Sequence, residues 1–572
     1  MSDQLSLPST WIPQDPYSGP GIRNLQDLKL DGNEGSMPPK NLLARLSEED
    51  QSVLRDYPNL EGLEIDIADW IGVDRKQIVV TSGADDALDR VCRSYLRPGR
   101  KMVLPIPAFE MMYRFAAKTG GEIQTVPWEN NFPTEAIIAA LDKDVSLVTI
   151  ISPNNPTGLV ATPEDLKRIS ESASRAIVIL DHVYVDYAED DLTDLAVQLK
   201  NVVIIRSFSK AWGLAGCRVG YAIASKEIAN VLRNAGSPFP VSGLSIAAVS
   251  LQIQESQALL DEHVNRICAN RDVLTEILTR LSVKPVPSQG NFVFADFGEQ
   301  ANLVYDGLAS LGILVRRFPH RPEIATGIRI TVPENPEDME RLKAGLETVL
   351  SPEGILFDLD GVLANVEESY RRCVLETAQS FGITITRNDL EEAVLAGDAN
   401  NDWVLTQRIM KSRGVEAPLE EITKQFQEIY IGTPDNPGLR EYEKLLVNRN
   451  LLEQLSAHLP LGIVTGRPKA EAKWFLERND ISELFAAVVC MEDAKIKPDP
   501  EPVRIALTRL GIERAWMIGD TPDDLRAAKA AGVLPVGIVA PCDDPAKASA
   551  ALKDTGAAII LDDITNLEEL IL

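Results

Sequence analysis

Short runs rich in Val, Ile and Leu, most of them bounded by Gly, Pro, Ser or Asn, alternate with helical periodicity along nearly the whole chain. That alternation constrains the fold more than any other feature. Strands separated by helices pair most readily with neighbours running the same way, so the pattern reads as parallel α/β architecture. Strands are expected at 77–80, 102–104, 146–151, 176–180, 202–206 and 218–224. A second series is expected at 354–358, 461–464, 486–490, 515–518, 534–539 and 557–561. Between about 365 and 455 the strand signal stops and charged helical periodicity takes over, as in Leu390–Val394 and Ile422–Tyr430. A helical insertion inside the second half is expected there. The halves meet near Ser351-Pro352-Glu353-Gly354, where Pro and Gly follow a helix ending LKAGLETVL. The expected division is 1–350 and 354–572.

A chain of 572 residues can bury several cores, and its net charge of -28 narrows the partners. So acidic a surface repels phosphate backbones and anionic lipid, which argues against nucleic acid and membrane surfaces. The longest uncharged stretch, Asn234–Gln254, contains Pro238 and Pro240 and is a poor membrane span. The 6 Cys are scattered without CxxC spacing, so neither a zinc site nor a disulfide framework is expected. A reducing, cytoplasmic compartment fits. The opening MSDQLSLPST has an acid and no apolar core, so it does not read as a secretory signal.

Two constellations carry chemistry. The first centres on VVIIRSFSKAWGLAGCRVG (202–220), a strand running into a Ser/Lys/Gly loop. A carbonyl cofactor needs one amine for a Schiff base, and Lys210 supplies it. A phosphate tail needs hydroxyls, N–H groups and a guanidinium, and Ser207, Ser209 and Arg218 supply those types. SPNNPTG (152–158) and ILDHVY (179–184) also follow strands. An acid at a strand's C-terminal end points into the crevice where α/β proteins bind ligands. Asp181 could hold a pyridine nitrogen protonated, while Asn155 and Tyr184 could bond the ring's phenolic oxygen.

In the order Asn155, Asp181, Tyr184, Lys210, Arg218, residues 20–350 resemble a fold-type-I, pyridoxal-phosphate-dependent aminotransferase of class I/II. Within that group they most resemble the histidinol-phosphate aminotransferases. The resemblance implies a large and a small domain. It implies that Gly83, Ala84 and Asp85 in TSGADDALD cradle the cofactor phosphate and that Phe109 stacks on the ring. It implies that Tyr57 reaches the partner subunit's cofactor, hence a homodimer. Arg329 in GIRITVP would bind the substrate carboxylate, with glutamate and 2-oxoglutarate as the donor pair. Asn33-Glu34 match a pair near the substrate, but Gly35-Ser36 depart from the family's usual continuation. Arg316 and Arg317 are candidates for a substrate phosphate or a solvated basic patch, and Arg23 is a weaker candidate.

The second constellation begins at GILFDLDGVL (354–363). Two carboxylates at i and i+2 on a strand end, Asp358 and Asp360, are costly to bury without a cation. Thr465 in LGIVTGRP, Lys497 in AKIKPDPEP, and Asp520 and Asp524 in WMIGDTPDD follow in order. Over 354–572 the set resembles the haloacid-dehalogenase superfamily, a Rossmann-like core with a helical cap inserted after the first motif. The resemblance implies Asp358 as nucleophile and Asp360 as general acid and base. Thr465 and Lys497 would hold the phosphoryl group. Mg2+ would sit on Asp358, the backbone carbonyl of Asp360 and Asp520, with Asp524 assisting. In the insertion, Asp398, Asn400, Asn401, Asp402 and Trp403 form a polar cluster that reads more readily as a solvated loop than as a specificity site. The combined expectation is a transaminase and a phosphatase acting on one phosphorylated amine, of the histidinol-phosphate type. The alternatives are a different phosphorylated or aromatic amine, or a C-terminal module without turnover.

Overall fold

The computed structural model describes residues 27–49, 51–433 and 436–571; Arg23 lies outside them. The chain forms two compact units, one of Met1–Ala301 with Val315–Glu340 in their described parts, the other of Asn302–Leu314 with Arg341–Leu572.

The first unit is built on a seven-stranded sheet. Its strands are β1 (Ile78–Thr81), β2 (Lys101–Ile106), β3 (Glu122–Pro127), β4 (Val145–Ile151), β5 (Ile177–Asp181), β6 (Val202–Ser207) and β7 (Gly220–Ile223). Their order is β1-β7-β6-β5-β4-β2-β3. The sheet is parallel except for β7, which runs antiparallel to both β1 and β6. The parallel α/β expectation holds for this sheet apart from that one strand. The chain turns straight back from β6 through the 208–219 loop, with no helix to carry it over the sheet, and a direct return demands an antiparallel neighbour. The central strands are buried on both faces, which is why they read as unbroken apolar runs. Helix α1 (Gly83–Tyr95) leaves β1 directly and packs Ala87, Leu88, Val91 and Cys92 into the core beside the sheet. Four further strands form an antiparallel sheet in the order β10-β11-β9-β8. These are β8 (Lys284–Pro285), β9 (Phe292–Asp296), β10 (Arg316–Arg317) and β11 (Gly327–Thr331), none of which the strand reading foresaw.

The second unit has a six-stranded, wholly parallel sheet. Its strands are β12 (Gly354–Phe357), β13 (Leu461–Val464), β14 (Phe485–Val489), β15 (Ala515–Gly519), β16 (Leu534–Ile538) and β17 (Ile559–Leu561), in the order β14-β13-β12-β15-β16-β17. The first motif's strand is thus central, and its neighbours β13 and β15 carry the second and fourth motifs at their C-terminal ends. Four helices fill the insertion: α2 (Tyr370–Ser380), α3 (Arg387–Leu395), α4 (Asp402–Ser412) and α5 (Leu419–Ile431). Helix α2 packs on both α4 and α5. The capping boxes Thr386/Asp389 on α3 and Thr521/Asp524 on α6 (Pro522–Ala531) fix where those helices start. No helix among the described residues is long and apolar enough to cross a membrane.

Candidate active sites

In the first unit, the C-terminal ends of β4, β5 and β6 and the N-terminus of α1 open on a cavity of about 310 Å³. It is lined by Ala84, Asp85, Phe109, Asn155, Asp181, Tyr184, Ser207, Ser209, Lys210, Arg218, Arg316 and Arg329. The Lys210 ammonium lies 3.2 Å from the Gly32 carbonyl and 5.5 Å from the centre of the Tyr184 ring. Asp181 ends β5 and is 2% exposed. Its hydrogen bond is a long one from Val183 N, 3.4 Å. Burial pushes its carboxyl up to about 7, with Asp85 adding to the rise and the Val183 N–H and Lys210 opposing it. Burial likewise raises Asp85, against Arg218 and Lys210.

Gly83 opens α1 with φ +75°, a conformation glycine adopts without strain. Arg218, itself at φ +53°, brings its guanidinium within 3.5 Å of Asp85. The Ser207 hydroxyl accepts from Ser209 N at 3.1 Å, so the two serines share one tight turn at the C-terminal end of β6. Arg329 donates to Asn155 Oδ1 at 2.7 Å and to the Asp31 carbonyl at 2.5 Å. Asn33 is fully buried; it donates to the Tyr184 hydroxyl at 3.1 Å and accepts from Thr331.

The departure at Gly35-Ser36 has a steric account. A Cβ at Gly35 would fall 1.8 Å from the Lys210 carbonyl oxygen, so residues 32–36 pass against the lysine loop where no side chain fits. Arg316 lines the cavity and Arg317 does not, as alternation along a strand requires. Arg321 also lines it, bonded to the Ala108 carbonyl at 2.6 Å and to Glu323, and sequence reasoning missed it. Its only signal was proximity to the Arg316-Arg317 pair. Tyr57 lies outside the cavity, 80% exposed and stacked on Phe239 with centroids 4.4 Å apart.

The residues fit pyridoxal phosphate: a buried carboxylate that faces no cation at hydrogen-bond distance among the described residues, an amine lining the same cavity, and a helix N-terminus beside a guanidinium.

In the second unit, Asp358, Asp520 and Asp524 bring carboxylate oxygens within 4.8 Å of one another, all three buried. Lys497 reaches Asp358 at 2.8 Å and Asp524 at 2.5 Å, and donates to the Val464 carbonyl. Burial pushes Asp358 up to about 7 against the pull of Lys497, and holds Asp520 far above the usual carboxylate range with Asp524 and Asp358 adding to it. Burial lowers Lys497, but Asp358 and Asp524 outweigh it and the ammonium stays charged.

Among the described residues, Asp520 Oδ1 is buried without a hydrogen-bond partner. One ammonium cannot neutralise three carboxylates, so an all-oxygen set with an orphaned oxygen fits a hard divalent cation such as Mg2+. Asp524 differs from its companions: one oxygen caps α6 through Thr521 and the other meets Lys497. Its place is behind the lysine as much as beside a metal.

The Asp360 carboxylate stands apart from this cluster, held by Arg467 Nε at 2.8 Å and Nη2 at 2.5 Å. Arg467 is 1% exposed and is clasped from the insertion by Glu443 at 2.9 Å and the Tyr430 hydroxyl at 3.3 Å, with the Tyr370 ring 4.6 Å away. Sequence reasoning missed it, although it lies two residues past Thr465. Thr465 is buried at the end of β13, and its hydroxyl accepts from Arg467 N at 3.1 Å.

The insertion does not present a solvated loop over this site. Asn400, Asn401, Asp402 and Trp403 line the same cavity as Asp358 and Asp360, and of the cluster only Asp398 is exposed. The loop is pinned by Asp523, which accepts from Ala399 N at 3.0 Å and from Asn400 Nδ2 at 3.2 Å.

Residues 24–346 match the family model "Aminotransferase class I and II", and residues 355–538 match "Haloacid dehalogenase-like hydrolase". A histidinol-phosphate aminotransferase of Trichormus variabilis is 31% identical over 316 residues, 54% of this chain and 89% of the relative. An imidazoleglycerol-phosphate dehydratase of Phytophthora nicotianae is 39% identical over 225 residues, 36% of this chain, and this chain spans 50% of that relative's length. The solved structure of histidinol-phosphate aminotransferase from Sinorhizobium meliloti, in complex with pyridoxal-5'-phosphate, covers 56% of this chain and 90% of its own, at 26% identity and a TM-score of 0.52. The cofactors are those of the two families, pyridoxal phosphate and Mg2+. The chain belongs to the class I and II aminotransferases, and it joins to that enzyme a haloacid dehalogenase-like hydrolase domain.

Proposed function

We propose that the chain carries out two consecutive steps of histidine biosynthesis. The first unit transfers an amino group from glutamate to imidazole-acetol phosphate, giving histidinol phosphate. The second hydrolyses that ester to histidinol and phosphate. The observation that carries the reading is a set of guanidiniums, Arg316, Arg321 and Arg329, lining one cavity with Lys210 and Asp181. A keto phosphate and an amino-acid donor each bring an anion for such groups to hold. The relatives named for histidinol phosphate support the choice of substrate.

In the first unit, Lys210 moves a proton at the substrate Cα, as base and then as acid. Asp181, Asn155 and Tyr184 would hold the ring of the coenzyme, Gly83–Asp85, Ser207, Ser209 and Arg218 would hold its phosphate, and Phe109 would cover its face. Arg329 orients the donor carboxylate with Asn33 beside it, and Arg316 takes the substrate phosphate. What bound pyridoxal phosphate supplies is an electron sink for the carbanion. Kinetics are ping-pong.

In the second unit, an oxygen of Asp358 attacks phosphorus, and Asp360 gives its proton to the leaving alkoxide and then takes one from water. Thr465 and Lys497 hold the phosphoryl oxygens, and Asp358, Asp520, Asp524 and the Asp360 carbonyl would hold the metal. The bound cation offsets the repulsion between a carboxylate and a phosphomonoester dianion. Arg467 positions Asp360.

The enzyme acts in the cytoplasm as a homodimer, with Tyr57 reaching the partner's cofactor. Supporting the dimer, Leu43 and Leu54 are exposed on the short helices Leu42–Leu46 and Ser52–Arg55, which pack on the helix Gly243–Glu255 that exposes Leu244, in the same region as the exposed Tyr57–Phe239 stack. The test is to supply glutamate and imidazole-acetol phosphate. Histidinol and free phosphate are expected from the wild type, and accumulated histidinol phosphate from Asp358→Asn. Absence of both products overturns the reading.

A further inference from the structure

The hydrolase cavity contains more acid than its chemistry uses. Asp358 and Asp520 face the metal position, Asp524 backs Lys497, and Asp360 is held by Arg467. Asp402 belongs to none of these. It is the first residue of α4 and lines the same cavity as Asp358, Asp360 and Asp520.

Its neighbours in the insertion have structural work. The Asn401 side chain caps α4 by accepting from Trp403 N and Val404 N, and Asn400 is tied to Asp523. No hydrogen bond or ion pair engages the Asp402 carboxylate among the described residues. The cations that could neutralise it are occupied: Arg467 by Asp360 and Glu443, and Arg371 by Asp543 at 3.8 Å. Burial and the nearby Asp360 push Asp402 up to about 7, with Arg371 and Arg467 opposing, the behaviour of a carboxylate short of positive charge. Beside it Trp403, with Val366, Val394 and Met491, gives the cavity an apolar wall.

We propose that Asp402 and Trp403 select the ester: the carboxylate receives a substrate ammonium and the indole lies along a flat ring, so the unit prefers phosphomonoesters of aromatic amino alcohols over uncharged ones. This rests on the phosphatase reading above and assigns its specificity.

The experiment compares kcat/KM, with Mg2+, for histidinol phosphate and for imidazolylpropyl phosphate, which lacks only the amine. In the full-length wild type the amine ester is expected to be favoured by about tenfold or more, the scale of a charge-assisted hydrogen bond. Asp402→Asn should bring that ratio close to one, mainly through a rise in KM for the amine ester, while Asp398→Asn in the same loop keeps the wild-type ratio. Should Asp402→Asn fail to fold, the wild type alone decides, because histidinol must inhibit it more strongly than imidazolylpropanol. A wild type that hydrolyses both esters without preference, or an Asp402→Asn ratio like that of the wild type, overturns this inference and leaves the phosphatase reading standing. Phosphate release from neither ester overturns both.

Discussion

Asp181 shows what single residues do here. Buried at the end of β5 with one long hydrogen bond, it costs the cofactor-free protein stability whenever it is ionised. Its carboxyl is raised from 3.8 to about 7, so the folded state binds the extra proton between those values. Stability therefore falls as pH rises from about 4 towards 7, and the penalty is fully present above that range. In cofactor-free protein the melting temperature of the first unit should drop with pH in the wild type more than in Asp181→Asn, by calorimetry at pH 5 and 7.5. In holoenzyme the same substitution should lower transamination on the order of 10²–10³-fold, the scale for removing a preorganised charge. Across the chain, Asp358→Asn should lower phosphate release by at least about 10⁴-fold, as for loss of a nucleophile.

At the scale of elements, the parallel strands were legible because burial on both faces leaves no polar alternation. β4, VSLVTII, is buried at every position. β3, EIQTVP, escaped the same reading because it lies on the sheet edge with three exposed positions of its six. In the antiparallel sheet, β8 and β10 escaped because they are two residues long, too short for any period to register. Motif residues were legible where one strand end delivers them to one crevice. Arg321 and Arg467 were not, and Asp402 was named only within a cluster that read as a solvated loop, because a charge turned inward by tertiary packing has the same local sequence as one in solvent.

Element geometry also yields a prediction at the loop of the insertion. A Cβ on Gly466 would sit 2.1 Å from the Asn400 carbonyl oxygen, a backbone atom that cannot swing aside. Gly466→Ala should displace the 397–401 loop and reduce phosphate release at least about tenfold, with transamination unchanged, since placement errors near 1 Å are costly to catalysis. Coupled and separate assays on one preparation check it.

For the whole molecule, the two sites share no residue. Lys210→Ala should abolish transamination and keep phosphate release from added histidinol phosphate, and EDTA should do the reverse. Either treatment silencing both activities would show the units to be energetically dependent. The oligomer is read by light scattering, where twice the 62.7 kDa chain mass is expected, and Tyr57→Ala should weaken cofactor retention.

The clasp on Arg467 has a consequence for how such a molecule could be rebuilt. The guanidinium belongs to the core, but Glu443, Tyr430 and the Tyr370 ring belong to the insertion. Grafting an insertion from a relative that lacks a counterpart to Glu443 would leave the buried guanidinium with Asp360 alone of the two carboxylates that pair with it here. Chimeras at this boundary should therefore be rescued by restoring that one acid, and modular exchange of substrate preference must carry it along.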